Sequence, residues 1–341
     1  MTSVRLFRAL LCRMTVKISL ERFYGTSNTF NSSHTSHLMH TSAHHRSSKL
    51  ALLAACGAGM LWGTGALVVN VLVVEHGFRP ENISFWRFVI GAVILTIVFG
   101  RRMVWQRLKA LWLTVLLSGI AMAGYVLLWF FGIEKIGASI PTLIALCLPP
   151  VIVTIVAIVR GHEKANASLL WVLFGAIVGS VLIITSHGGS AKNVDAYNTL
   201  LGIAFSIGSA FLYAGFSMIS GRLSIALGAG VSTAYLSIVA ALVMGLFAFT
   251  QPLIWPSAIP PQVWFLYLGV VTAALALLAF SWGAARLKPT ALTIATLLEP
   301  LTAVVLSAIL LEERLSALQW LGGGLLLLSI WLLGKKNMHQ P

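Results

Sequence analysis

Two charges in this chain lie where charge is expensive. Glu299 sits inside the apolar run TIATLLEPLTAVVLSAIL, immediately before Pro300, and Arg87 sits inside ISFWRFVIGAVILTIVF. An ionisable side chain within hydrocarbon is a functional candidate by default. Glu299 lies about 14 Å into a span starting at residue 290, at about 1.5 Å per residue. That is near the middle of a core about 30 Å thick. Such a carboxyl can bind a proton, pair with a cationic substrate group, or pair with Arg87. The alternative is a neutral, hydrogen-bonded packing acid at a proline kink. Arg87, close to the outer end of its run, leaves two readings open. Its stem could snorkel to the headgroups, or its guanidinium could gate the outer side and clamp a carboxylate or phosphate through two oxygens.

Other side chains could complete a binding site. Trp62, Tyr125, Trp129, Tyr213 and Trp282 could stack on an aromatic or cationic ligand. They could also be packing residues or part of an interfacial belt. Ser217, Asn70 and Thr64 could add hydrogen bonds. Pro149 and Pro150 would free the carbonyls of Ala145 and Leu146, and Pro300 that of Thr296. Freed carbonyls persist in a membrane only where protein or water satisfies them. Matched kinks would suit a central cavity, or would simply bend the helices for packing.

The elements that must position these groups follow from composition. Of 341 residues, 58% are apolar and only 9% are charged. Soluble domains run near 25% charged, so this is an integral membrane protein and not a disordered or disulfide-rich chain. Apolar blocks occupy 50–74, 83–100, 111–132, 138–159, 168–186, 199–219, 231–250, 262–282, 290–311 and 315–333. Each approaches the roughly 20 residues a transmembrane helix needs, and none alternates as a membrane barrel strand would. The expected fold is all-α with ten transmembrane helices.

The net charge of +14 reads as topology. With the N-terminus inside, Arg46, Lys49, Arg101, Arg102, Arg107, Lys109, Arg160, Lys164, Arg222, Arg286, Lys288, Lys335 and Lys336 all fall inside. Outside fall only Arg79, Lys135, Lys192 and Arg314. Positive residues concentrate in cytoplasmic loops, so both termini are expected in the cytoplasm, and no nucleic-acid partner is needed to explain the charge.

The chain also repeats itself. Setting Pro150 on Pro300 puts Glu163 on Glu313 and, with a one-residue gap, Trp171 on Trp320. Leu61-Trp62-Gly63 echoes Leu212-Tyr213-Ala214. The unit has five spans, and an odd number inserts its second copy upside down. Inverted repeats are a recurring plan of secondary transporters. Gly59/Gly63 and Gly175/Gly179, together with Gly322-Gly323-Gly324, permit close helix contact, within one chain or across a homodimer.

These residues carry a resemblance. Leu61-Trp62-Gly63, Arg87, Leu298-Glu299-Pro300, Glu313-Arg314-Leu315 and Trp320-Leu321-Gly322, in this order, resemble the drug/metabolite transporter superfamily, EamA type. Pro149 departs from the pattern by standing where the second half has Glu299. The resemblance implies two inverted five-helix repeats, 50–186 and 199–334, joined by a loop at 187–198 and followed by a cytoplasmic tail at 335–341. It implies a secondary active carrier moving a small metabolite, an amino acid or related compound, outward by alternating access. Spans 1, 3, 4, 6, 8 and 9 would line the cavity, with spans 5 and 10 bracing it.

Residues 1–49 stand apart as a basic, Ser/Thr/His-rich extension expected to be disordered. Arg-rich and acid-poor, it has the character of a transit leader, which would direct the protein to an organelle; otherwise the cell membrane is expected. His34, His37, His40, His44 and His45 cluster there; as a helix His37, His40 and His44 would share a face that could hold a metal, but the surroundings are Ser/Thr-rich with no hydrophobic period, and Cys12, Cys56 and Cys147 suggest neither a disulfide framework nor zinc. No metal or cofactor is expected. The chain lacks the G-x-x-x-x-G-K of a phosphate-binding loop. The inside loops offer no aspartate and only Glu163, a poor basis for a lipid-modifying enzyme. That enzyme, and a scaffold or sensor on a transporter fold, are the competing classes; a carrier rather than an enzyme is expected.

Overall fold

The computed structural model describes residues 35–136, 139–185, 195–310 and 316–337. The chain divides into two units, Met1–Ala43 and His44–Pro341. Of the first, the described part is helical backbone from Thr35.

Among its described residues the second unit holds ten helices. They are α1 (Ser48–Val74), α2 (Pro80–Phe99), α3 (Trp105–Ile136), α4 (Ser139–Val159) and α5 (Ala167–Thr185). The second half repeats them as α6 (Ala196–Leu227), α7 (Ala229–Gly245), α8 (Pro261–Ala284), α9 and α10 (Ala317–Asn337). Helix α9 is in two pieces, α9a (Pro289–Ala295) and α9b (Leu298–Leu310). Among the described residues eight helices are long and apolar enough to cross a membrane, and α7 and α10 are shorter apolar ones. Among the described residues there is no strand.

The packing follows the repeat. The most extensive contacts are α3 with α6, α5 with α10, α2 with α7, and α4 with α6. Helices α2 and α5 thus meet their own counterparts, as helices beside a twofold axis must. The α3–α6 contact is mirrored where Trp62 of α1 donates to the Thr272 carbonyl of α8 at 3.0 Å. The aligned Trp171 and Trp320 are both exposed, at 71% and 68%. Outward faces carry exposed Leu53, Ile97, Phe174 and Leu327. In water they would be a liability, but against lipid tails they are matched.

Three expectations change. Helical backbone begins at Thr35, inside the segment expected to be disordered. Nothing between Thr35 and Lys49 is Gly or Pro, so a helix nucleated in the apolar span can extend backward at little cost. The leader's remaining residues, the histidine side chains and the Glu313-Arg314-Leu315 motif lie outside the described residues. Second, Arg222 is not in a loop. Helix α6 runs on to Leu227, and only Gly228 separates it from α7, with φ +88°, a conformation that favours glycine. Third, the glycine pairs are used within the chain. A Cβ on Gly179 would meet the Gly322 carbonyl at 2.6 Å, and one on Gly59 the Thr296 carbonyl at 2.7 Å.

Candidate functional site

A cavity with about 120 Å³ of room for water-sized molecules lies among the helices. Small residues make the space: Gly65 and Ala66 on α1 and Ala145 on α4. Helices α1, α3, α4, α6, α8 and α9 line it, joined by α2 through Arg87 and Phe88. Among the described residues none from α5, α7 or α10 is part of the lining.

The structure brings six of the proposed ligand-binding side chains to this wall: Trp62, Arg87, Tyr125, Trp129, Tyr213 and Glu299. Helix α2 starts at Pro80, three residues before the apolar block, which puts Arg87 about 10 Å down the helix. Its Nε is buried without a hydrogen bond. The stem is therefore not snorkelling to the headgroups. Arg87 and Glu299 act on one another electrostatically, yet they close no ion pair within 4 Å among the described residues. Both line the cavity.

Hydrogen bonds and ring contacts hold the aromatic side chains of the wall. The Trp62 indole donates to the Thr272 carbonyl at 3.0 Å, and Trp129 donates to Thr142 Oγ1 at 3.1 Å. Tyr125 meets Tyr213 edge-on, with ring centroids 5.1 Å apart. Behind them Phe216 stacks on Phe280 at 5.4 Å, and Trp62 leans on Phe280 at 5.5 Å. Tyr213 also shares a hydrogen bond of 3.2 Å with Thr296.

Four proposed residues lie off the cavity. Ser217 is buried and donates to the Ala214 carbonyl of its own helix at 2.9 Å. Trp282 carries the Arg286 guanidinium over its ring at 4.0 Å, and Arg286 also donates to the Trp282 carbonyl. That pairing suits the end of a span. Asn70 and Thr64 are likewise not part of the wall; Thr64 accepts from the Tyr267 hydroxyl at 2.6 Å and donates to Leu61.

The prolines behave differently from one another. Helix α4 continues through Pro149 and Pro150, and Ala145 and Leu146, whose carbonyls lose their donors, both line the cavity. The Thr296 carbonyl is not left free. It accepts the Glu299 N–H at 3.1 Å.

Some lining residues escaped the sequence reading. Thr272 sits in a π-helical turn of α8, Leu268–Leu275. Such turns occur often at functional sites, but nothing local in LGVVTAAL announces one. Ser209 donates to the Tyr125 carbonyl at 2.7 Å. The aligned first-half position is Ala58, so repeat comparison alone could have flagged it. Among the described residues no group of three or more His, Cys, Asp or Glu could hold a metal ion.

A ten-helix membrane bundle with a charged, aromatic-walled cavity at the meeting of two repeats has the architecture of a membrane transporter. The EamA-like transporter family model matches the chain twice, over residues 49–185 and 200–335. The chain belongs to that family. It is 25% identical over 296 residues to the uncharacterized transporter YwfM of Bacillus subtilis (strain 168), covering 83% of this chain and 93% of that protein. A chain of known crystal structure superposes with a TM-score of 0.70 at 18% identity, covering 83% of this chain and 96% of its own. That likeness concerns the fold alone.

Proposed function

We propose that the protein is a secondary active transporter that moves a small metabolite, an amino acid or related compound, by alternating access. Export is the direction expected, with both termini in the cytoplasm, as the basic residues favour. The observation that carries this reading is the cavity itself. Arg87 and Glu299, of opposite charge type, line one cavity together with Trp62, Tyr125, Trp129 and Tyr213. A zwitterion satisfies both charges at once: its carboxylate takes the guanidinium and its ammonium takes Glu299. In a site shielded from bulk water such contacts are stronger than at a surface. A proton on Glu299 would compete with the ammonium group, which supplies a route for coupling to a proton gradient.

The test is flux of a panel of amino acids and related zwitterions in proteoliposomes of the purified protein. Concentrative or exchange flux of at least one compound is expected. Folded, correctly inserted protein that moves none of them, while binding a protein partner tightly, would point to a scaffold or sensor. Arg87→Lys separates clamp from point charge. A two-oxygen clamp loses apparent affinity about tenfold, since charge-assisted bonds contribute about 1.5–3 kcal/mol, whereas a simple counter-charge tolerates lysine.

A further inference from the structure

Thr296 was not among the ligand candidates, and it does not line the cavity. It occupies the break between α9a and α9b, three residues before Glu299. Every polar atom it has is in use. Its N–H donates to the Leu292 carbonyl at 3.2 Å. Its hydroxyl donates to the Thr293 carbonyl at 3.0 Å. A threonine hydroxyl has a single proton, so in the 3.2 Å contact with Tyr213 the phenol must be the donor. Its carbonyl accepts the Glu299 N–H at 3.1 Å, and that carbonyl is where Gly59 of α1 gives way.

One residue therefore ties a cavity-facing ring on α6 to the backbone that carries the carboxylate on α9b. We propose that Thr296 is a positioning residue for Glu299: its side chain, held by Tyr213, fixes the turn from which the carboxyl enters the cavity. The inference deepens the transport reading, because it assigns how the proposed coupling group is aimed. The groups facing Glu299 are Arg87 from α2, Tyr125 from α3 and Tyr213 from α6. Helices α1, α4 and α8 present only non-titrating side chains to the cavity, among them Trp62, Leu146 and Thr272. A change in Glu299 reactivity on altering Thr296 thus has few other origins.

The experiment needs no substrate. Glu299 in the full-length protein in lipid is labelled with dicyclohexylcarbodiimide, which attacks protonated buried carboxyls, and modification is followed by mass spectrometry across pH. Glu299→Gln identifies the labelled site. Thr296→Val keeps the shape and removes the hydroxyl; Tyr213→Phe removes the donor; Thr296→Ser keeps the bond. The expected result is an about fivefold change in Glu299 labelling rate at fixed pH for Thr296→Val and for Tyr213→Phe, in the same direction. The double variant should change no further than either single one, because both remove the same bond. Thr296→Ser should follow the parent. Labelling of Thr296→Val that superimposes on the parent, or effects of the two single variants that multiply in the double, would overturn the inference. Neither outcome bears on whether the protein transports. Thermal unfolding in detergent checks that each variant is folded, and Tyr213→Phe, which removes the same bond, decides the matter if Thr296→Val is not.

Discussion

Helices α4 and α9 occupy equivalent places in the two repeats, and each has a proline at the same position. They respond in opposite ways. Helix α4 stays one helix from Ser139 to Val159, with Pro149 and Pro150 inside it. Helix α9 opens into a turn before Pro300 and resumes at Leu298. The proline cannot be the cause, since both helices have it. The difference lies in the neighbour. Helix α1 presents Gly59 and Gly63 to α9, and a Cβ on either would stand 2.7 Å or less from a backbone oxygen of Thr296 or Glu299. At the aligned positions α6 has Ala210 and Ala214. Close approach lets α1 support the broken backbone of α9. One kink then offers the cavity backbone carbonyls, and the other offers a carboxylate.

The largest expected effect removes what α9 contributes. Glu299→Gln should lower gradient-driven flux at least tenfold, as loss of a charged partner implies, and should flatten its dependence on pH. Substrate exchange should be less affected. Equal loss of both, measured in the same proteoliposomes, would make Glu299 a packing acid and place the two helices on one footing. Next comes the support from α1. Gly63→Ala forces a methyl toward the Glu299 carbonyl at 2.5 Å and should destabilise the fold by about 1–3 kcal/mol. Gly57→Ala, with nothing within 4 Å, should leave thermal unfolding in detergent unchanged or slightly raised. If the two glycines behave alike, close approach does not explain why α9 breaks.

Much of this was legible in the sequence and some parts were not. The ten spans follow from the length of the apolar runs, because the bilayer fixes how long a spanning helix must be. The charged residues of the cavity are legible for the same reason: within hydrocarbon a charge needs a partner, so Arg87 and Glu299 stand out against their surroundings. Trp282 and Ser217 show the limit. Residue type and span membership do not say which way a side chain faces. The helices are apolar on almost every side, so their pattern does not distinguish the lipid face from the cavity face. The break in α9 was hidden differently. A proline predicts a freed carbonyl, and only the packing of α1 shows that the Thr296 carbonyl finds the Glu299 N–H instead. The π turn at Thr272 is likewise met by a contact distant in sequence, the Trp62 indole.

Smaller effects probe α4. Pro150→Ala restores an N–H for the Leu146 carbonyl and closes it against the helix. Stability should hold or rise, while apparent substrate affinity falls by about two- to tenfold if that carbonyl serves the ligand. Unchanged affinity would make the α4 kink one of packing only. The smallest effect belongs to Thr154, below the kink. Its hydroxyl donates to the Pro150 carbonyl at 2.6 Å and stands 3.5 Å from Thr290 Oγ1 at the start of α9a. The first bond is local and the second is long, at the edge of what counts as a hydrogen bond. Thr154→Val keeps the volume and removes both, so a change within about 0.5–1.5 kcal/mol is expected in thermal unfolding, with flux little altered. A loss of flux comparable to that of Glu299→Gln would mean that the Thr154–Thr290 contact joins α4 to α9 in the working cycle, and that the two kinked helices move as one.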